Sequence, residues 1–273
     1  MLNIGDFKIS FINDLIGVKR DPSFVYPDVN KNDWKKYKSF AQNTDGTIQS
    51  TWRGYLLQTD NKNILIDTGM GPGPYDHTEI KGQYLNNLLK LGLQPKDIDI
   101  VFITHAHGDH MGWNITWEEN NPILTFPNAK YLLSKFDFDY YSKNTNEDFE
   151  KQIIPLKQLG ALELLEGRKE IAKNVFSLPS NGHTPGHQCL YLETNIKEKI
   201  ILTGDLFHNE AQVNEQFWCP IFDWNKVMST ISRVGLLNSA YKDNWIICTG
   251  HLSDDKAIGR IKANDEGFFW DPI

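Results

Sequence analysis

The chain has 273 residues, 40% of them hydrophobic, 12% aromatic and 23% charged, with a formal net charge of −7. That is enough apolar material for one large core, and a single domain over 1–273 is the expected count. The acidic balance, with its densest basic stretch KNDWKKYK (31–38) broken by an aspartate and two aromatics, argues against a nucleic-acid footprint. The start MLNIGDFKISFIND lacks the basic and apolar regions of a signal peptide, and no apolar run reaches membrane-spanning length. Cys189, Cys219 and Cys248 are far apart, odd in number and flanked by apolar residues, which reads as reduced core thiols. Together these features predict a cytoplasmic protein with no membrane or nucleic-acid partner.

Taken in chain order, strands are predicted at DFKISFI (6–12), YLLQT (55–59), NILIDTG (63–69), IDIVFITH (98–105), AKYLLS (129–134), NVFSLPS (174–180), CLYLET (189–194), KIILTGD (199–205) and NWIICTGH (244–251). Helical periodicity runs over 79–92, where Leu85, Leu88, Leu89 and Leu91 lie mostly on one face, and over 148–160 and 225–240. Pro155 should break or kink the second of these. Strands precede helices in both halves, so the fold class is α/β or α+β in layers. Residues 13–54 look irregular and turn-rich, with isolated aromatics Phe24, Tyr26 and Trp34; a lid, a pocket rim or a homodimer contact is expected there.

Three histidines and an aspartate crowd into six positions, HAHGDH (105–110), directly behind an apolar run. His105 and His107, two apart, point to one side of an extended backbone, and Gly108 lets the chain turn so that Asp109 and His110 aim differently. One loop can thus offer two ligands to each of two metals. Imidazole and carboxylate suit zinc, and also iron or manganese. Three more strand-end segments carry histidine: NGHTPGHQ (181–188), ILTGDLFH (201–208) and IICTGH (246–251). Seven of the eight histidines fall in these four places, and His77 alone lies elsewhere. Strand-end loops gathering at one edge of a layered sheet are a usual ligand site in such folds.

HAHGDH followed in order by GHTPGH, TGD and TGH, with NILIDTG ahead of them, resembles the metallo-β-lactamase superfamily in its dinuclear form. The resemblance implies an αββα sandwich. It implies that His105, His107 and His183 hold one metal, that Asp109, His110 and His251 hold the other, and that Asp205 bridges both. Asp67 would support the metal loops, and His187 would support the GHTPGH turn. Two such metals activate water for hydrolysis without a serine or cysteine nucleophile.

Aspartate at 205 stands where the best-known zinc β-lactamases carry cysteine. Residues 252–273 are too few for the helical substrate domain of glyoxalase II relatives, and the acidic chain lacks the basic surfaces of the nucleases. The remaining pattern resembles the N-acyl homoserine lactonases and the methyl parathion hydrolase-type enzymes, implying two zinc ions and a small hydrophobic lactone or ester as substrate. Well-studied lactonases place tyrosine three residues after the bridging aspartate, whereas this chain has His208. Asp109 and His208 are the candidate catalytic side chains; His208 would protonate a leaving alkoxide or orient substrate. A phosphotriesterase or aryl esterase, and a mononuclear iron persulfide dioxygenase on the same scaffold, are the alternative activities. Trp113, Trp117, Phe207, Phe217, Trp218, Phe222 and Trp224 follow the metal loops and are expected to contribute an apolar pocket wall.

Overall fold

Ile100–Phe102 lies inside a seven-stranded sheet ordered Leu2–Ile4, Phe7–Arg20, Ile48–Thr59, Lys62–Ile66, Ile100–Phe102, Lys130–Ser134 and Leu162–Leu165 in the computed structural model, which describes residues 1–59, 61–75 and 80–273. Its three residues are all buried, as their unbroken apolar character requires of a strand flanked by parallel neighbours. The register pairs Ile66 with Phe102, so the two strands end level and their following loops begin side by side. That alignment sets Asp67 beside the start of the histidine loop.

The chain divides into two compact units. The first comprises residues 1–15, 52–169 and 194–196, the second residues 16–51, 170–193 and 197–273. The core of the first unit joins Ile12, Leu56, Leu65, Leu88, Val101, Ile103 and Tyr131. The helix Tyr84–Lys90 buries Tyr84 and Leu88 there, while Leu89 faces outward; it is shorter than the expected 79–92, of which residues 80–83 are not helical and residue 79 lies outside the described residues. The predicted 148–160 helix is split into Glu147–Gln152 and Ile154–Gln158, with the break at Ile153 just ahead of Pro155, which occupies the first turn of the second piece.

The second unit holds another seven-stranded sheet, ordered Lys169–Ala172, Val175–Pro179, Gln188–Glu193, Lys199–Leu202, Ile246–Cys248, Ile258–Asn264 and Gly267–Pro272. The helix Lys226–Lys242 contributes Leu237 and Ala240 to a core with Cys189, Ile201, Phe207, Ile247 and Trp270. The last two strands follow His251 and lack the long apolar runs that marked the others. All three cysteines are free and buried, as expected. Among the described residues no helix is long and apolar enough to cross a membrane.

The irregular stretch is shorter than the expected 13–54. Phe7–Arg20 and Ile48–Thr59 take over both its ends, leaving only the short helix Pro22–Val25 and the 3₁₀ turn Asp33–Tyr37 between them. Gly17, inside Phe7–Arg20 and past the predicted strand end at residue 12, takes φ 78°, a backbone state that favours glycine. The aromatics also depart from expectation. Tyr26 and Trp34 are buried, and Trp218 packs 6.3 and 4.8 Å from them between ring centroids. These rings form a core rather than a rim, and of the three only Phe24 is exposed.

Candidate metal centre

In the first unit, His107 caps a one-turn helix, Gly108–Met111, that turns the chain between the two ligand pairs. A Cβ at Gly108 would lie 2.4 Å from Asp148 Oδ2, so a larger residue there would have to displace that carboxylate. His105 Nε2 and His107 Nδ1 face each other at 3.1 Å. Two nitrogens on one tetrahedral zinc would stand about 3.3 Å apart, given bonds of about 2.0–2.1 Å. The His110 ring lies 4.1 Å from that of His105 between centroids, and His110 Nε2 is 3.5 Å from Asp109 Oδ2. HAHGDH thus brings all four expected side chains of this loop together.

The buried Asp67 organises them. Its Oδ2 accepts from His110 Nδ1 at 2.8 Å and from the Thr104 hydroxyl at 2.8 Å, and its Oδ1 accepts from Thr104 N at 2.7 Å. Because the Thr104 hydrogen goes to Asp67, its oxygen is left to accept from His105 Nδ1 at 3.0 Å. Burial pushes the Asp67 carboxyl upward, opposed by His110 and by the Thr104 bonds. Asp14 had no signature in the sequence. Its Oδ2 takes Met70 N at 2.8 Å, Gly71 N at 3.1 Å and Trp113 Nε1 at 3.1 Å, and its Oδ1 takes Tyr84 N at 2.8 Å. It thereby fixes the turn after Asp67, against which the histidine loop docks through Thr68 N to His110 O and Gly112 N to Gly69 O.

In the second unit three imidazoles surround the Asp205 carboxylate. Oδ2 lies 3.1 Å from His183 Nε2 and 3.0 Å from His208 Nε2, and Oδ1 lies 3.0 Å from His251 Nε2. His183, Asp205 and His208 are close enough to share an ion. His183 Nδ1 is bound by Asp223 Oδ1 at 2.9 Å, and His251 Nδ1 by the Thr51 carbonyl at 3.0 Å. Burial pulls the His183 pKa down, but the carboxylates of Asp205 and Asp223 together raise it to about 9. His187 accepts the Asp205 backbone N–H on Nε2 at 3.0 Å, so its proton sits on Nδ1 and goes to Ser180, 2.8 Å from Oγ. It thus hydrogen-bonds the Asp205 backbone, where support of the GHTPGH turn was the expectation.

His208 differs from the others. Its backbone N–H donates to Gln212 Oε1 at 2.7 Å, yet its buried Nδ1 has no partner among the described residues. Burial holds its pKa below the ordinary histidine value, with Asp205 pulling the other way. His77 lies outside the described residues. The expected aromatic wall is mostly dispersed. Phe207 is core against Trp270, Trp218 is packed among Tyr26, Trp34 and Tyr37, and Phe217 is 79% exposed. Phe222 has a ring contact with a candidate site residue, 6.2 Å from His208 between centroids.

Four imidazoles, His105, His110, His183 and His251, therefore share one arrangement: Nδ1 is engaged by an oxygen of the chain and Nε2 is directed at another candidate ligand. That is how metal-binding histidines are ordinarily oriented. With adjacent carboxylates and no thiolate, the donor set suits a divalent transition metal.

Comparison with known proteins agrees. The model of the metallo-beta-lactamase superfamily matches residues 54–251. An N-acyl homoserine lactonase of Bacillus thuringiensis is 30% identical over 223 residues, covering 76% of this chain and 83% of that protein. Among solved structures, AidC, a dizinc quorum-quenching lactonase in complex with a product, superimposes with a TM-score of 0.83 at 24% identity, covering 100% of this chain and 96% of that one. The hydrolase AbOPH of the beta-lactamase superfamily gives a TM-score of 0.84 at 23% identity, covering the same 100% and 96%. The two structures share the fold of this chain.

Proposed function

The chain belongs to the metallo-β-lactamase superfamily, and from that premise we propose that it is a dinuclear zinc hydrolase that opens the lactone ring of N-acyl homoserine lactones. The observation that carries the metal reading is the shared orientation of His105, His110, His183 and His251, each held through Nδ1 with Nε2 turned toward another candidate ligand. His105, His107 and His183 would hold one ion and Asp109, His110 and His251 the other, with Asp205 bridging, following the order of the four motifs. When bound, two zinc ions supply an activated water at neutral pH and draw off the charge that develops on the carbonyl oxygen.

The chain's own residues would do the rest. Asp67, Asp223 and the Thr51 carbonyl keep the imidazoles turned and in one tautomer. His187 keeps Asp205 in place. His208, whose Nδ1 lacks the acceptor that the four imidazoles have, is the side chain assigned to deliver a proton to the alkoxide as the ring opens. Phe222 beside it offers apolar surface to an acyl chain. The lactone class is supported by the Bacillus thuringiensis relative, and a reducing compartment by the three separate buried thiols.

Histidine rather than tyrosine at position 208 favours one second reading, an aryl esterase or phosphotriesterase. The deciding experiment is metal content by mass spectrometry together with turnover of acyl homoserine lactones, aryl esters and nitrophenyl phosphotriesters. Two ions per chain with lactones preferred is the expected result. Preference for the phosphotriester selects the second reading, and a single iron with sulfur-oxidising activity removes both.

A further inference from the structure

Arg233 lies on the helix Lys226–Lys242, is fully buried, and belongs to none of the four histidine motifs. A guanidinium is charged at any accessible pH, so placing one in the interior is costly unless each donor is matched. Here Nε donates to Leu206 O at 2.8 Å, and Nη1 to Gln216 O at 2.8 Å and Trp218 O at 2.9 Å. Nη2 donates to Ser229 Oγ at 2.9 Å and to Asp223 Oδ2 at 3.2 Å. The other oxygen of that carboxylate, Oδ1, takes Nδ1 of His183.

We infer that Arg233 is a positioning residue for the metal centre, holding two ligand loops from one side chain. Through Asp223 it fixes the ring of His183. Through the carbonyl of Leu206 it fixes the peptide next to Asp205. The inference rests on the dinuclear reading above and deepens it. A role confined to helix packing would need neither the linked contacts Arg233–Asp223–His183 nor a bond to the residue that follows Asp205. The fork is what matters: lysine brings the same charge but one nitrogen, which cannot serve Leu206 and Asp223 in their different directions.

Asp223 supplies the second handle. A carboxylate accepts on both oxygens, whereas an asparagine amide accepts on one and donates from the other. Asp223→Asn must therefore give up either His183 or Arg233 with almost no change in volume. The backbone Nδ1 acceptor of His251, the Thr51 carbonyl, is untouched by either substitution and serves as the internal reference.

The test uses the full chain. Metal affinity of the wild type, Arg233→Lys and Asp223→Asn is measured by chelator competition, beside the visible spectrum of the cobalt-loaded proteins and thermal melts without metal. Both variants are expected to bind one ion about 10–100-fold more weakly, with a changed cobalt spectrum. Wild-type affinity and spectrum in a folded variant of either kind would overturn the inference while leaving the dinuclear reading intact. A wild type that takes up no metal would overturn both. Should neither variant fold, the wild type still decides. A slowly exchanging, downfield Nδ1 proton of His183, held on Asp223, is expected in its nitrogen-15 spectrum, and the lack of one would overturn the inference.

Discussion

Asp67 and His110, 43 positions apart in the chain, meet at 2.8 Å between carboxylate Oδ2 and imidazole Nδ1. The contact exists because two parallel strands end level, and it fixes which ring nitrogen His110 keeps for an ion. Asp67 itself stands at φ 61°, a backbone state that asparagine tolerates, so Asp67→Asn changes the acceptor without straining the chain. One amide oxygen cannot replace two carboxylate oxygens that together receive Thr104 N, the Thr104 hydroxyl and His110. Metal affinity should fall about 10–100-fold in chelator competition. Unchanged affinity would show that His110 is oriented by something else.

His208 separates the two hydrolytic readings. A lactone expels a poor alkoxide, which a nearby proton donor assists; a nitrophenyl phosphotriester expels a phenolate that needs no help. His208→Phe should depress lactone turnover by about 10²–10⁴-fold and phosphotriester turnover far less. Equal losses with metals retained would mark the histidine as a packing or orienting group.

Cys189 gives a pH-dependent probe of the folded state. Burial pushes its thiol up to about 12, opposed by the Ser180 hydroxyl, and only the thiolate alkylates. With the folded value above the ordinary one, the neutral form dominates until the pH nears 12, and at pH 8 roughly one thiol in ten thousand is ionised. Iodoacetamide at pH 8 should leave Cys189 unmodified in the native protein and label it fully in denaturant, as read by peptide mass spectrometry. Fast native labelling would contradict the burial.

Trp34 tests the reassignment of the N-terminal aromatics from rim to core. It is 4% exposed and packs at a tilt against Tyr26 and Trp218. Trp34→Ala should lower stability by about 3–5 kcal/mol in urea melts and leave the KM of the folded fraction unchanged. A shifted KM with an unmoved melt would put the residue back at the pocket.

The candidate ligands could be read from the chain because each stands in a short loop immediately behind an apolar strand, so local pattern and chemistry coincide. Pro155 likewise announced the break at Ile153 through a purely local constraint. What holds the ligands was mostly invisible. Asp223 is 40 positions from His183 and Thr51 is 200 from His251, and nothing local marks a carboxylate or a backbone carbonyl as the partner of a remote imidazole. Asp14 and Arg233 were missed for the same reason, since each acquires its meaning only from distant groups that folding brings to it. The strands Ile258–Asn264 and Gly267–Pro272 escaped because Arg260, Lys262, Asn264 and Asp271 interrupt their apolar alternation.

The anchored Nδ1 atoms bear on how quickly the protein could load its ions. A free imidazole must give up torsional freedom when it is captured, an entropic cost that usually falls on the binding step. In His105, His110, His183 and His251 that freedom is already lost to oxygens of the chain. Uptake would then be governed by how fast a hydrated cation sheds its water, and stripping followed by reloading should restore the same centre without passing through an unfolded intermediate.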